Sequence, residues 1–331
     1  MIDLTRPLLL AAAAIAVCGA GRSTTLRQPI VWTVDAEEKA LAAGKVQLSL
    51  TVQTDENHRS QHSNTTALTA LDGLRAGAFA PGPSRNVSFR LVRPAGLLDC
   101  AGVARVRAGS GECRFVANAH FVRELERRGM GRPDELQLYH LTTSGADLAV
   151  LDELERHDYP KANVDDLVKL GIFKVTPTYV RELAVSGYRL RWLDDLVQFK
   201  IFDITPAYIA ELAAIGPKFR AIPAARLVKY RIFKVAPATV RELAALGYDD
   251  LDGELITRFA IFKVTPQFIR ELRALGYRDV PADKLIELRV HGVTPEYIRG
   301  LGRAGIALPG INQLARMRMS GFDPALRGAS R

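Results

Sequence analysis

From residue 118 onward the apolar and polar positions follow one pattern, and that pattern returns about every 29 residues. The phrase Phe173-Lys174-Val175-Thr176-Pro177 comes back as Phe202-Asp203-Ile204-Thr205-Pro206, Phe233-Lys234-Val235-Ala236-Pro237 and Phe262-Lys263-Val264-Thr265-Pro266. A weaker copy is His291-Gly292-Val293-Thr294-Pro295. These landmark prolines stand 29, 31, 29 and 29 residues apart, and the longer step holds two extra residues in the loop near Pro217–Pro223. Counting back by the same period lands on Leu148 and Ala119, and counting forward lands on Pro324. Cap, stop and core positions recur in phase, the signature of a tandem repeat.

Each repeat predicts two short helices. The residues just before the landmarks are Asn118, Asp147, Thr176, Thr205, Ala236, Thr265, Thr294 and Asp323. All but Ala236 can accept a backbone N–H bond at a helix start, and proline suits the next position, where no donor is needed. Six residues after each landmark stands a leucine: Leu125, Leu154, Leu183, Leu212, Leu243, Leu272 and Leu301. Three after it come Val122, Leu151, Val180, Ile209, Val240, Ile269 and Ile298, on the same helical face. A glycine ten residues on, as at Gly187 and Gly276, suits a left-handed helix stop. The second helix carries its apolar side ten and seven residues before the next landmark, as in Leu196 with Phe199 and Leu285 with Leu288. The phenylalanine four before the landmark, as in Phe173 and Phe262, is expected to plug the turn between helices. Helices this short are marginal alone and must stack on their neighbours.

The N-terminal region has the other period. Val46, Leu48, Leu50 and Val52 alternate with polar residues, and Val87 to Val92 alternates again, as half-buried strands do. Asp55 to Thr66 is polar throughout and reads as a loop, and Ala80-Pro81-Gly82-Pro83 reads as a turn. Asp99 to Phe115 reads as strand pieces broken at Gly102 and Gly109–Gly111, with a hairpin between them. The expected fold class is therefore α+β. A small antiparallel β domain over 30–117 is followed by an all-α, solenoid-like array of helix-turn-helix units over 118–331.

Charge changes this picture little. The net charge is +9, but residues 22–116 hold 12 basic and 8 acidic side chains and residues 117–331 hold 32 and 27, well mixed. No basic run marks a nucleic-acid binder, so nucleic acid is not the expected partner. Residues 1–20 read as a secretion signal: Arg6, an apolar run from Leu8 to Val17, then small residues to Ala20. A retained membrane anchor is the other reading. No later stretch is apolar and long enough to span a membrane, and the expected location is periplasmic or secreted. Past the signal only Cys100 and Cys113 remain. They are either a disulfide, which a hairpin centred near Arg107 would bring together, or two buried thiols.

Candidate chemistry is sparse. His58 and His62 follow Glu56 at helical spacing, but their neighbours are loop-forming and the His-Glu-x-x-His zinc motif is absent, so no metal site is assigned. Gly109-Ser110-Gly111 is too short for a nucleophile elbow, and no glycine-rich phosphate loop occurs. Leu308-Pro309-Gly310-Ile311 resembles the hairpin of helix-hairpin-helix modules but lacks their second glycine, and reads as a loop between repeats. The repeated Arg-Glu-Leu triplets place Arg123, Arg181, Arg241 and Arg270 at one repeat position, with Arg299 in the next copy. These five are the candidate partner-binding residues, although each of the first four is followed by a glutamate. No cofactor and no catalytic residue is assigned. The expected function is a non-catalytic interaction or sensing module with a protein partner. The alternatives are a hydrolase with its site in the β domain, and a binder of nucleic acid or another anionic polymer through the repeat arginines.

The segments Val264 to Tyr277 and Val293 to Arg299 resemble repeats that follow the membrane metallopeptidase domain of penicillin-sensor-like proteins and occur in related bacterial proteins. Asp99-Cys100-Ala101-Gly102 with Gly111-Glu112-Cys113-Arg114-Phe115 is similar to the β segment that precedes such repeats. This chain lacks the peptidase's zinc motif and its membrane helices, so no catalytic residue carries over. The resemblance implies an extracytoplasmic appendage.

Overall fold

The computed structural model describes residues 26–53, 59–188 and 190–324. The signal segment and His58 lie outside them. The chain divides at Pro177 and Thr178 into two compact units.

The first unit is built on a six-stranded antiparallel sheet: β1 (Arg27–Asp35), β2 (Lys45–Gln53), β3 (Arg59–Ala67), β4 (Arg85–Arg93), β5 (Gly96–Arg105) and β6 (Ala108–Ala117). The order across the sheet is β3-β2-β1-β6-β5-β4, so the first and last strands pair at its centre. A five-residue helix, α1 (Glu38–Ala42), joins β1 to β2. The alternation in β2 buries Val46, Leu48, Leu50 and Val52 on the face that also holds Ile30, Trp32 and Val34. Helices α2 (Ala119–Arg127), α3 (Glu135–Ser144), α4 (Ala149–Arg156) and α5 (Val164–Ile172) follow, with α3 packed on β4, β5, β6 and α5.

Two expectations for this unit are corrected. Residues 59–67, read as part of a polar loop, are an edge strand whose every residue pairs with β2. Neither face of this strand is buried in a core, so it lacks the apolar signal that strands usually carry. The glycines of β5 and β6 do not break those strands either. They make room for one ring: a Cβ at Gly102 would stand 2.7 Å from Trp32 Cζ2, and one at Gly111 2.8 Å from Trp32 Nε1. Trp32 is fully buried, donates to the Ala101 carbonyl at 3.1 Å and meets Phe89 edge-on at 5.1 Å. The hairpin does turn at Arg107 (φ 58°), and Cys100 pairs with Cys113 across it in a disulfide.

The second unit consists of short helices at the spacing of the repeat: α6 (Pro177–Val185), α7 (Leu193–Ile201), α8 (Pro206–Ala213), α9 (Ala224–Ile232), α10 (Pro237–Ala245), α11 (Gly253–Ile261), α12 (Pro266–Ala274), α13 (Ala282–Val290), α14 (Pro295–Arg303) and α15 (Ile311–Met319). Contacts join like to like: α8, α10, α12 and α14 form one row, and α7, α9, α11, α13 and α15 a second. Stacking of equivalent elements is how a repeat array buries faces that no single repeat could bury. The landmark leucines are its spine, and across both units none of the seven is more than 3% exposed.

Helix ends follow the repeat closely. Thr205, Thr265 and Thr294 accept backbone N–H bonds from Tyr208, Phe268 and Tyr297. Asn118 accepts from His120 and Asp147 from Ala149, while Ala236 makes no side-chain cap. Asp323 precedes no described helix. The second helices stop on left-handed residues three before each landmark: Lys174 (φ 57°), Asp203 (52°), Lys234 (56°) and Lys263 (55°), with glycine at 145, 292 and 321.

Two further expectations are adjusted. In the two degenerate copies within the first unit the buried residues are Phe121 and Val150, while Val122 and Leu151 are half-exposed, a one-residue rotation of the helix. The turn plug is the residue two before the landmark, buried in five copies (Val175, Ile204, Val235, Val264 and Val293). The phenylalanine at the turn is only partly covered, and Phe233 is 36% exposed.

Candidate interaction surfaces

A set of polar groups lies in the first unit, where the C-terminal turn of α3 meets the two edge strands. His62 of β3 has Asn64 Nδ2 2.6 Å from its Nε2. Burial lowers the pKa of His62, nearby Lys174 lowers it further, and a backbone hydrogen bond with Thr143 opposes both. His140 on α3 is also pushed down, by burial first and then by His62, against the pull of Asp134. Lys174 donates to the Ser144 carbonyl at the end of α3, where a cation suits the helix dipole. Burial lowers Lys174 too, and Arg93 adds to the effect. The Tyr139 hydroxyl is buried and has no hydrogen-bond partner among the described residues, and burial raises its pKa. These groups are cations, neutral donors and a phenol. Among the described residues no three His, Cys, Asp or Glu side chains stand together as metal ligands would. The hairpin serine Ser110 sits mid-strand in β6, opposite Thr33 and Val103.

The five repeat arginines are all exposed. Two are engaged by the acidic residue of the preceding repeat: Arg270 meets Glu242 at 2.6 Å, and Arg299 lies 3.6 Å from Glu271. Arg299 also meets Glu296 of its own helix at 3.0 Å. The triplet thus zips one repeat to the next along α10, α12 and α14.

A surface that sequence reasoning missed lies at the end of the second helices. Five before each landmark stand Ile201 (47% exposed), Ile232 (47%), Ile261 (42%), Val290 (52%) and Met319 (63%). The next residue in the first three copies is a partly exposed phenylalanine: Phe202, Phe233 or Phe262. Since α7, α9, α11, α13 and α15 stack in one row, these positions form an apolar stripe along the second unit. Exposed Lys234 and Lys263 stand beside it, as do the basic last turns of α9 and α15. Isolated exposed apolar residues mean little, but an aligned series rimmed by charge is a candidate interaction surface. The signal was in the sequence: the Ile-Phe pair belongs to the most regular phrase of the repeat, but only its phenylalanine was read, as the plug of the turn.

No family model, no curated protein and no solved structure matches the chain. Fold and surface together define the class: an α+β protein in which a disulfide-linked antiparallel sheet precedes a helical-repeat array. Among the described residues no helix is long and apolar enough to cross a membrane.

Proposed function

We propose that this protein is a non-catalytic, exported interaction module that docks a protein partner on the Ile-Phe stripe of its helical repeats. The stripe carries the reading: Ile201, Ile232, Ile261, Val290 and Met319 recur in register and stay 42–63% exposed. Folding alone would favour polar residues at five exposed helix ends. The flanking lysines and arginines suit a partner segment whose apolar side chains are bordered by carboxylates. Export accords with the disulfide and with the sequence's resemblance to extracytoplasmic arrays.

The test is a paired capture from the envelope fraction with the wild-type protein and the variant Ile232→Asp/Ile261→Asp. A partner retained by the wild type and weakened at least tenfold (about 1.4 kcal/mol) by the variant is expected. The variant Arg241→Ser/Arg270→Ser should bind as the wild type does. Equal capture by the wild type and the stripe variant overturns the proposal. Concentration-dependent dimerisation that the stripe variant abolishes would assign the stripe to a second copy instead.

A further inference from the structure

The sheet of the first unit has two edges, and the fold treats them differently. On the β4 side a loop lies against the edge. Asp72 exchanges backbone hydrogen bonds with Arg90 at 2.9 and 2.8 Å, and a Cβ on Gly73 would stand 2.6 Å from the Ser88 carbonyl oxygen. On the other side β3 is the last strand. It pairs with β2 in unbroken register from Lys45↔Ala67 to Gln53↔Arg59. Leu68 N donates to Gly44 O in that same register, which fixes the phase of the ladder. Hydrogen-bonded and non-hydrogen-bonded pairs alternate in such a ladder. Ser60, His62, Asn64 and Thr66 therefore bond to the backbone of β2, while Arg59, Gln61, Ser63, Thr65 and Ala67 turn their N–H and C=O groups outward. Among the described residues nothing bonds to those outward groups. Open edges are normally blunted by lysine, proline or a bulge. This strand has none of these, and its one full charge, Arg59, stands at its end.

We propose that β3 is a self-association edge: the β3 strands of two copies pair antiparallel about a twofold axis at Ser63 and join the two sheets into one. That register alone overlaps all 9 residues of both strands. It also sets outward group against outward group: Ser63 faces Ser63, Gln61 faces Thr65, and Arg59 faces Ala67 of the second copy. The side chains match as well. Within the chain the outer face of β3 already pairs serine with serine (Ser63 with Ser49, 2.7 Å) and threonine with glutamine (Thr65 with Gln47, 3.0 Å). Self-pairing repeats both kinds of pair, because a hydroxyl with one donor and two lone pairs can serve a neighbour on each side. On the other face His62 meets Asn64, the kind of side chain it already holds at 2.6 Å within its own strand, and Ser60 meets Thr66. No like charges are opposed. A twofold contact needs a self-complementary patch, and a strand whose residues match about their own centre supplies one. An extended segment of a different protein would need no such symmetry in β3. The edge lies in the first unit and the Ile-Phe stripe in the second, so the two proposals stand or fall separately.

Sedimentation equilibrium of the intact protein at rising concentration should show monomers passing into dimers. Hydrogen exchange at low and high concentration locates the contact. The amides of Gln61, Ser63 and Thr65, which turn away from β2, should slow about tenfold where the dimer holds roughly nine-tenths of the chains. Ser63→Lys sets two like charges face to face at the axis and should weaken the dimer about tenfold (about 1.4 kcal/mol). Ser63→Pro removes an outward N–H and no bond to β2, and should weaken it as much while near-ultraviolet circular dichroism shows Trp32 in place. The stripe variant Ile232→Asp/Ile261→Asp should dimerise as the wild type does. A wild type that stays monomeric at every concentration overturns the proposal. So does a dimer in which the outward amides of β3 exchange as fast as in the monomer. A dimer lost in the stripe variant and kept in Ser63→Lys overturns it in favour of the stripe.

Discussion

Single residues show where the repeat is obeyed and where it is not. Ala236 occupies the position at which Thr205, Thr265 and Thr294 cap their helices, and it makes no such bond. Its backbone is extended like theirs (φ −90°, ψ 135°), so a threonine there can reach the orphan N–H groups of α10. Ala236→Thr should stabilise the second unit by about 1 kcal/mol, and Thr265→Ala should cost about the same. Thermal unfolding checks both, and hydrogen exchange should slow mainly around residues 230–250, because an array passes such changes only to near neighbours. A second residue-scale test concerns the tryptophan cradle. A Cβ at Gly111 would fall 2.1 Å from the Ala101 carbonyl oxygen, 2.6 Å from Gly102 Cα and 2.8 Å from Trp32 Nε1. Two of these three are backbone atoms, which cannot step aside as a flexible side chain would. Gly111→Ala should destabilise the first unit by about 1–3 kcal/mol, as overpacking does, with loss of the near-ultraviolet signal of Trp32.

At the scale of elements, what was legible depended on whether a pattern had one physical cause. The helix pairs were legible because cap, stop and core face each impose their own residue type, and all recur in phase. The strand β2 was legible because one of its faces is buried. The strand β3 was not: Ser60, His62, Asn64 and Thr66 point to the inner side of the sheet yet stay partly exposed, so polarity alternates with polarity and no period shows. The glycines of β5 and β6 misled for a related reason, since a glycine that frees space for a distant ring looks in sequence like one that breaks a strand. The phenylalanine of the Ile-Phe pair misled in the opposite sense: an apolar residue at a regular interval read as the plug of the turn, yet it is only partly covered. The αL stops give an element-scale prediction. Lys234 and Lys263 hold a conformation that costs a side-chain-bearing residue about 1–2 kcal/mol. Lys263→Gly should remove that strain against a smaller entropy cost in the unfolded chain, for a net gain of about 0.5–1 kcal/mol seen as a higher Tm. The β5–β6 hairpin gives another. Its disulfide joins residues 13 apart, and Cys100→Ser/Cys113→Ser should cost about 3 kcal/mol. That loss should appear as faster hydrogen exchange in the sheet, with the helices after Thr178 unaffected.

For the molecule as a whole, the period written in the sequence and the units formed in space do not share a boundary. The repeat begins at residue 118, but its first copies belong to the same compact unit as the sheet, up to Pro177. One consequence is that the two units should answer differently to acid. His62 and His140 lie between β3 and α3, and both rings are held below the ordinary value of 6.5 chiefly by burial. Lys174 and Asn64 stand beside His62, and Asp134 partly offsets the depression of His140. A neutral ring is thus favoured in the folded state. As pH falls below about 6.5 the unfolded chain takes up protons that the folded unit resists, and stability falls with it. Above that pH both states hold neutral rings and the effect vanishes. The first unit should therefore lose stability between about pH 6.5 and the lowered folded values, in proportion to how far those values are depressed. His62→Gln keeps a neutral, hydrogen-bonding side chain at the position and removes one titrating ring. Its unfolding midpoint, measured by Trp32 fluorescence in urea at pH 7.5 and pH 5, should shift less with acid than the wild-type midpoint. An identical acid shift in the two proteins would assign the sensitivity to groups other than this histidine.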